Sequence, residues 1–254
     1  MDKKNKVVIT GMSGRIGRII YEHLKHHWAL SGVDIKPSEG LPLVVADIND
    51  HNTLTSAFKE TYAVIHLAAN SNAEASWDEI VSPNILGTRS VFEAARCAGV
   101  SKVIFASSNR VTGLYEKDEP YRSIAAGRYD GFSPNNIPQI NHTMPIRPDG
   151  YYGISKAFGE ALGRYYAEAL GMQVICLRIG VVNQENRPRS VREYATLLTH
   201  KDLVALIDKC LKNQEITFDI FYGVSFNKWK FWDTSHATDK LGWTPEEDAE
   251  MFRL

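Results

Sequence analysis

The sequence predicts an α/β fold built on a doubly wound parallel sheet. Short β-branched runs alternate with longer segments of helical period, a glycine-rich turn follows the first run, and 44% hydrophobic content suffices for a full core. In order, strands are expected at Lys6 to Thr10, Leu30 to Asp34, Leu43 to Ile48, Tyr62 to Ala68, Lys102 to Ser107 and Gln173 to Ile179. Helices are expected at Gly14 to Trp28, Asn49 to Glu60, Trp77 to Ala98 and Tyr152 to Leu170. In such a sheet ligands bind at the carboxyl ends of the strands. From Leu114 to Gly150 the periodicity is lost, with prolines at 120, 134, 138, 145 and 148. A segment of this kind reads equally as a cover over a site and as a mobile surface insertion. After Gly180 come a helix near Tyr194 to Asn213, a strand near Ile216 to Val224 and a short helix near Ser235 to Leu241.

Composition excludes several functions. The 29 basic and 30 acidic residues are interleaved, so no basic stripe is available for a phosphodiester backbone. Nucleic acid is not an expected partner. The segment Met1 to Lys6 is short and charged, and it runs into only four apolar-patterned residues, Val7 to Thr10, which reads as neither a signal peptide nor a membrane span. Cys97, Cys176 and Cys210 are odd in number and lie in apolar segments, as expected for reduced thiols in a core; a cytoplasmic location follows by elimination. The eight histidines form no metal-ligand spacing with cysteines or carboxylates, and His26 and His27 fall where the first helix should end. No metal is expected.

Thr10-Gly11-Met12-Ser13-Gly14-Arg15-Ile16-Gly17 follows the first strand and opens the first helix. Glycines there permit a tight turn and close approach to a pyrophosphate, and the helix N-terminus offers free N–H groups and partial positive charge. Asp34, ending the second strand, is placed to accept hydrogen bonds from a ribose and to repel a 2′-phosphate, which favours NAD over NADP. Arg15 and Lys36 lie close enough to keep NADP open. Asp47 and Ile48 end the third strand beside the adenine position, and Leu67, Ala68 and Ala69 after the fourth strand are small enough for a dinucleotide to lie close, although ordinary strand packing also accounts for them.

Tyr152 and Lys156 stand at i and i+4, stacked on one helix face. A phenol with an ordinary pKa near ~10 is a poor base at neutral pH, and an adjacent ammonium stabilises the phenolate. Tyr152 is therefore a candidate to take a proton from a substrate hydroxyl, with Ser108, just past the fifth strand, holding the same oxygen. The pair alone is a weak signal, since Tyr and Lys at this spacing occur on many surface helices.

Together, in order from Val7 to Gly180, these motifs resemble the extended short-chain dehydrogenase/reductase family, which belongs to the NAD-dependent epimerase/dehydratase superfamily. The match comprises TGxxGxxG, Asp34, Asp47, His66-Leu67-Ala68-Ala69, Asn84-Ile85-Leu86-Gly87-Thr88, Ser107-Ser108 and YxxxK. The resemblance implies a Rossmann-type sheet, NAD as cofactor, support of the active-site region by Asn84, and backbone near Ile179 facing the nicotinamide. Within the family the chain is similar to uronate dehydrogenases and related NAD-dependent sugar dehydrogenases. That likeness runs through Phe105 to Asn109, Arg147 to Lys156, Arg178 to Gly180, and Phe231-Trp232-Asp233 leading to Leu241-Gly242-Trp243. It implies oxidation of the anomeric hydroxyl of an anionic sugar to an aldonolactone, with Ser71, Asn109 and Arg192 at sugar-contacting positions. Arg192 suits that place because a guanidinium grips a carboxylate or phosphate in a bidentate fork. On a polar turn it reads equally as a solvated charge, with Arg187 and Arg189 as competitors.

Two features keep glucose 6-phosphate open as the substrate. A relative acting on it shares the arginine and the lengthened loop, and Arg110 stands where uronate enzymes carry histidine. An epimerase retaining NAD remains an alternative, as does a non-catalytic NAD-binding sensor. A dehydratase is disfavoured, because Asn109 and Arg110 occupy the positions of its Asp-Glu acid/base pair. The expected organisation is one compact unit, with residues 1–180 holding NAD and 181–254 forming a small substrate-binding portion. The apolar stretches Ile80 to Cys97 and Ala157 to Leu170 suit either a homodimer face or packing on the sheet. The aromatic residues Trp229, Phe231 and Trp232 are expected in the core.

Overall fold

A computed structural model of the chain describes residues 4–253; the first half of the charged segment Met1 to Lys6, and Leu254, lie outside the described residues. Seven strands form one sheet: β1 (Lys6–Thr10), β2 (Ala29–Asp34), β3 (Leu43–Val45), β4 (Ala63–His66), β5 (Lys102–Ser108), β6 (Gln173–Ile179) and β7 (Phe218–Gly223). Their order is β3-β2-β1-β4-β5-β6-β7, and every pairing is parallel. The direction of winding reverses between β1 and β4, which opens a crevice at the carboxyl ends of those two strands. The helices in chain order are α1 (Arg15–Leu24), α2 (His51–Ala57), α3 (Trp77–Ile80), α4 (Gly87–Cys97), α5 (Tyr121–Ala125), α6 (Tyr151–Glu168), α7 (Glu193–Thr196), α8 (His200–Lys212) and α9 (Ser235–Leu241).

Strand alternation sends Val7 and Ile9 to one face, where Ile20 and Leu24 of α1 and Leu203 and Leu206 of α8 complete a core. Val8 and Val64 point to the other face, under Leu54 of α2, Phe92 of α4 and Tyr166 of α6. Burial on both faces explains why these strands read as continuous apolar runs.

Several element boundaries differ from expectation, each for a local reason. Strand β3 stops at Val45 rather than Ile48 because its partner β2 ends at Asp34, leaving no ladder to continue. Helix α1 stops at Leu24, so His26 and His27 follow it instead of ending it. The expected helix Trp77 to Ala98 is interrupted by a π-helical turn, Val81–Leu86, around Pro83, which has no N–H to donate into an α-helical ladder. The expected helix Tyr194 to Asn213 is two helices. Between α7 and α8 the backbone turns extended at Leu197, which bridges to Val181, and Thr199 caps α8 by accepting the Asp202 N–H. Cys97 is exposed, contrary to the expected core position, while Cys176 and Cys210 are buried; all three are free thiols.

The 114–150 segment is more ordered than its composition implies. It holds the end of a 3₁₀ run (Asn109–Lys117), α5 and a further 3₁₀ turn (Pro134–Asn136). Tyr115, Tyr121, Ile124, Ile137 and Ile140 form a third core with Tyr222, Val224, Trp229, Phe231 and Trp232. The expected core role of the three C-terminal aromatic residues is met there.

A buried polar network ties the layers together. Glu160 of α6 accepts from Arg178 Nε and Nη2 of β6, both at 2.8 Å, and from Ser107 Oγ of β5 at 2.5 Å. Arg178 Nη1 donates to Tyr222 of β7 at 3.0 Å, and the Tyr222 hydroxyl meets Thr112 Oγ1 at 2.9 Å. Burial opposes the Arg178 charge, but Glu160 outweighs it and holds the guanidinium pKa above its ordinary value. Removing one partner strands the other charge in the interior. Replacing Glu160 by alanine is expected to cost about 3–5 kcal/mol in urea denaturation, and a change below about 1 kcal/mol would contradict this role.

Candidate active site

One cleft of about 850 Å³ runs across the carboxyl ends of β1, β4, β5 and β6. At its first end, the turn after β1 is packed by two glycines. Gly11 has a φ of +76°, and a Cβ there would lie 2.8 Å from the Ala68 amide nitrogen; a Cβ on Gly17 would lie 2.6 Å from the Met12 carbonyl oxygen. Gly14 caps α1 without a side-chain hydrogen bond among the described residues, so the helix N-terminus faces the cleft with its N–H groups free for a ligand. Asp34 is buried, and its carboxylate is fixed by the N–H groups of Ser13 (2.9 Å) and Lys36 (3.2 Å). This donor set and the uncovered Gly14 turn fit a dinucleotide: helix N–H groups for its phosphates and a carboxylate for its ribose.

The walls carry the other expected residues. Ser13, Arg15, Ile16, Asp47, Ile48, Leu67, Ala68, Ala69, Ser71 and Ile179 all line the cleft. Arg15 reaches across it and donates to the Val182 carbonyl at 3.0 Å. Asn84 does not line the cleft. From the π-helical turn it accepts the Asn70 N–H at 2.7 Å and donates to the Asn70 carbonyl and to Ser155 Oγ, both at 3.0 Å. It therefore pins the loop after β4 to α6 from behind the wall of the cleft. His66 is buried beside it, bonded to Thr10 and Thr88, and burial together with the Lys156 charge drives its pKa down to about 3. It is a neutral strut.

Ser108, Asn109, Arg110, Tyr152 and Lys156 meet at the centre of the cleft. Strand β5 delivers Ser108 at its last residue, and the first turn of α6 delivers Tyr152. Ser108 Oγ donates to Asn109 Oδ1 at 3.3 Å and accepts the Arg110 N–H at 3.2 Å. Asn109 Nδ2 is a buried donor with no partner among the described residues, which suits it to a substrate oxygen. Lys156 Nζ lies 5.5 Å from the Tyr152 ring centre. Burial lowers the Lys156 pKa to about 7 and raises that of Tyr152 to about 12, against smaller opposing contributions from Ser108 and Arg110. The expectation that the ammonium draws the phenol toward neutrality is not met in this structure, because burial disfavours the charged form of both groups.

At the far end Arg192 lines the cleft, but its fork is occupied. Glu116 accepts from Nε and Nη2, both at 2.6 Å. Arg110 Nη1 likewise pairs with Asp149 at 2.7 Å. The sequence assigned neither carboxylate a role, because each acts through an arginine distant in the chain. Histidine spacing also concealed a cluster: His142, Asp219 and His236 have candidate ligand atoms within 4.8 Å of one another. The two imidazoles stack at 3.8 Å and 14°, and His236 Nε2 is 2.9 Å from Asp219.

The NAD dependent epimerase/dehydratase family matches residues 7–218. The chain is 33% identical to an NAD-dependent glucose-6-phosphate dehydrogenase of Haloferax volcanii, over 97% of this chain and 95% of that protein. It is also 33% identical to a uronate dehydrogenase of Pseudomonas putida, over 98% of this chain and 87% of that protein. The crystal structure of uronate dehydrogenase from Agrobacterium tumefaciens superposes with a TM-score of 0.82 at 29% identity, covering 98% of this chain and 87% of that one. These likenesses agree with the glycine-rich turn, Asp34 and the Ser108, Tyr152 and Lys156 cluster: the chain belongs to the NAD dependent epimerase/dehydratase family and is an NAD-dependent oxidoreductase.

Proposed function

We propose that the protein oxidises the anomeric hydroxyl of a cyclic sugar, in the first instance a uronate such as glucuronate or galacturonate, to the aldonolactone. The observation that carries this reading is the single cleft joining the nucleotide-type turn at Gly14 to Ser108, Asn109, Tyr152 and Lys156, with Arg192 beyond them. The relatives named uronate dehydrogenase support the substrate class. Glucose 6-phosphate is the second reading, supported by Arg110 beside the cleft and by the Haloferax relative.

In this proposal Gly11, Ser13, Gly14, Ile16 and Gly17 hold the NAD phosphates and Asp34 its adenosine ribose; Asp47, Ile48, Leu67, Ala68, Ala69 and Ile179 line its bed, and Asn84 supports it from behind. Bound NAD supplies the acceptor for the hydride of the sugar carbon. Ser71, Asn109, Arg110 and Arg192 orient the sugar, and Ser108 donates a hydrogen bond to the oxygen being oxidised. Tyr152 removes the hydroxyl proton. Lys156, with a pKa of about 7, keeps both forms of its amine accessible for passing the proton on. Residues 1–180 then form the cofactor portion and 181–254 a small substrate-binding portion. The free thiols support a cytoplasmic location, and no described helix is long and apolar enough to cross a membrane. Recovery of the native protein from a secreted fraction would contradict that location. A homodimer is supported by exposed Trp77, Leu86, Ile154 and Tyr165 around α3, α4 and α6; a monomer mass in sedimentation would contradict it.

The direct test is NADH absorbance with glucuronate, galacturonate, glucose 6-phosphate, glucose and a nucleotide sugar. Steady NADH release with a uronate supports the reading. Silence with NAD bound would overturn it in favour of an epimerase or a sensor. Replacing Tyr152 by phenylalanine is expected to lower turnover about a hundred- to ten-thousand-fold while sparing NAD affinity, and substantial residual activity would remove Tyr152 from the role of base.

Lys156 also predicts a pH dependence of stability. Its folded pKa of about 7 lies below the unfolded value of about 10.4, so between these limits the unfolded chain binds more protons and stability rises with pH. The stability contribution is complete above about 10 and is lost as pH falls through about 7. Lys156→Met should therefore stabilise the cofactor-free protein more at about pH 6 than at about pH 9 in urea denaturation, and an equal effect at both would contradict the burial of this amine.

A further inference from the structure

Arg192 is the cation that an anionic sugar would seek at the far end of the cleft, yet its charge is already matched. Glu116, on the 3₁₀ run after β5, takes the Nε and Nη2 hydrogens side-on at 2.6 Å each, and its side chain is only 15% exposed. Burial works against the Arg192 charge, but Glu116 and more distant carboxylates outweigh it and raise the guanidinium pKa. The edge left over is Nη1, which lies 3.5 Å from Thr196 Oγ1. The neighbouring arginine of the wall is paired as well, by one bond from Arg110 Nη1 to Asp149 at 2.7 Å. Of the other cations on the cleft, Lys156 lies beside Tyr152, and Arg15 and Lys36 flank the glycine-rich turn and Asp34, at the nucleotide end.

A guanidinium paired in this geometry keeps hydrogen-bond donors but offers little net charge. A carboxylate arriving at its open edge meets the Glu116 carboxylate across the same group, whereas a hydroxyl meets no such repulsion. Resting on the sugar-dehydrogenase reading above, we propose that Glu116 is a specificity-determining residue that sets the charge selectivity of the sugar site: by closing on Arg192 it admits uncharged aldoses as substrates beside uronates. Glu116 touches neither the cofactor turn nor Tyr152, and acts through Arg192 alone.

Galacturonate and galactose differ only at C6, a carboxylate against a hydroxymethyl group, and so isolate the charge. The proposal expects the wild-type protein to oxidise both, with kcat/KM values within about ten-fold of each other, since an unopposed charge-assisted pair is worth about that factor or more. Glu116→Gln keeps the side-chain shape and removes the charge. It should raise the galacturonate-to-galactose ratio by about ten-fold or more, through the KM for galacturonate and not through kcat. Adding Arg192→Gln to that variant should return the ratio to the wild-type level. Two results would overturn the proposal: galactose not oxidised by a wild-type protein that oxidises galacturonate, or an unchanged ratio in Glu116→Gln, where an equal loss for both sugars would make Glu116 a mere prop for Arg192. Calorimetric titration of galacturonate and galactose into the NAD-loaded proteins reads the same ratio as affinity. Absence of turnover with every sugar would then count against the dehydrogenase reading, while the affinity ratio still decides the role of Glu116.

Discussion

The registration of α6 on the sheet is the constraint on which the site depends, and the buried pairing of Glu160 with Arg178 supplies it. Helix α6 brings Tyr152 and Lys156, and strand β5 brings Ser108, from places far apart in the chain. Glu160, two helical turns from Tyr152, bonds Ser107 immediately before Ser108 and Arg178 on the neighbouring strand. Arg178 passes the constraint to Tyr222, and Tyr222 to Thr112 on the run that carries Glu116. Dispersion between apolar side chains tolerates small slips, whereas a bidentate ion pair in the interior does not. The network thus relates hydroxyl, phenol and amine in one direction and supports the run that carries Glu116, partner of Arg192, in the other.

The nucleotide end is fixed by contact of backbone with backbone. Gly11 and Gly17 remove the Cβ atoms that would separate the turn from Ala68 and from α1, while His66 and Asn84 stiffen the floor below. The two ends differ in what they offer. The first presents helix N–H groups and the Asp34 carboxylate, and the second presents arginines paired with carboxylates of the same chain.

Most of the sheet was legible because strands buried on both faces read as short apolar runs between helices of clear period, and β6 and α9 fall on their expected bounds. All of the anticipated site residues except Asn84 line one cleft, since each follows a strand end or opens a helix, where sequence position dictates spatial position. Side chains acting at second hand were not legible from spacing, and the support by Asn84 was implied by the family resemblance alone. Asn84 turns inward on a π-helical turn that no periodicity announces, and Glu116 and Asp149 matter only through arginines far away in the chain. The third core was hidden for a related reason: its apolar residues are scattered between prolines and polar turns from Tyr115 to Ile140, and they find partners only in Tyr222, Trp229 and Trp232. Cys97 shows the opposite error, an apolar stretch whose last residue faces solvent.

The central claim is that the Ser108, Tyr152 and Lys156 cluster oxidises a sugar at its anomeric carbon. It is tested most directly with galacturonate deuterated at C1, following the label by mass spectrometry in the cofactor and in the sugar product. Deuterium is expected in the released reduced cofactor, with an unlabelled lactone. Label retained in the sugar, or reduced cofactor formed without it, would contradict oxidation at that carbon.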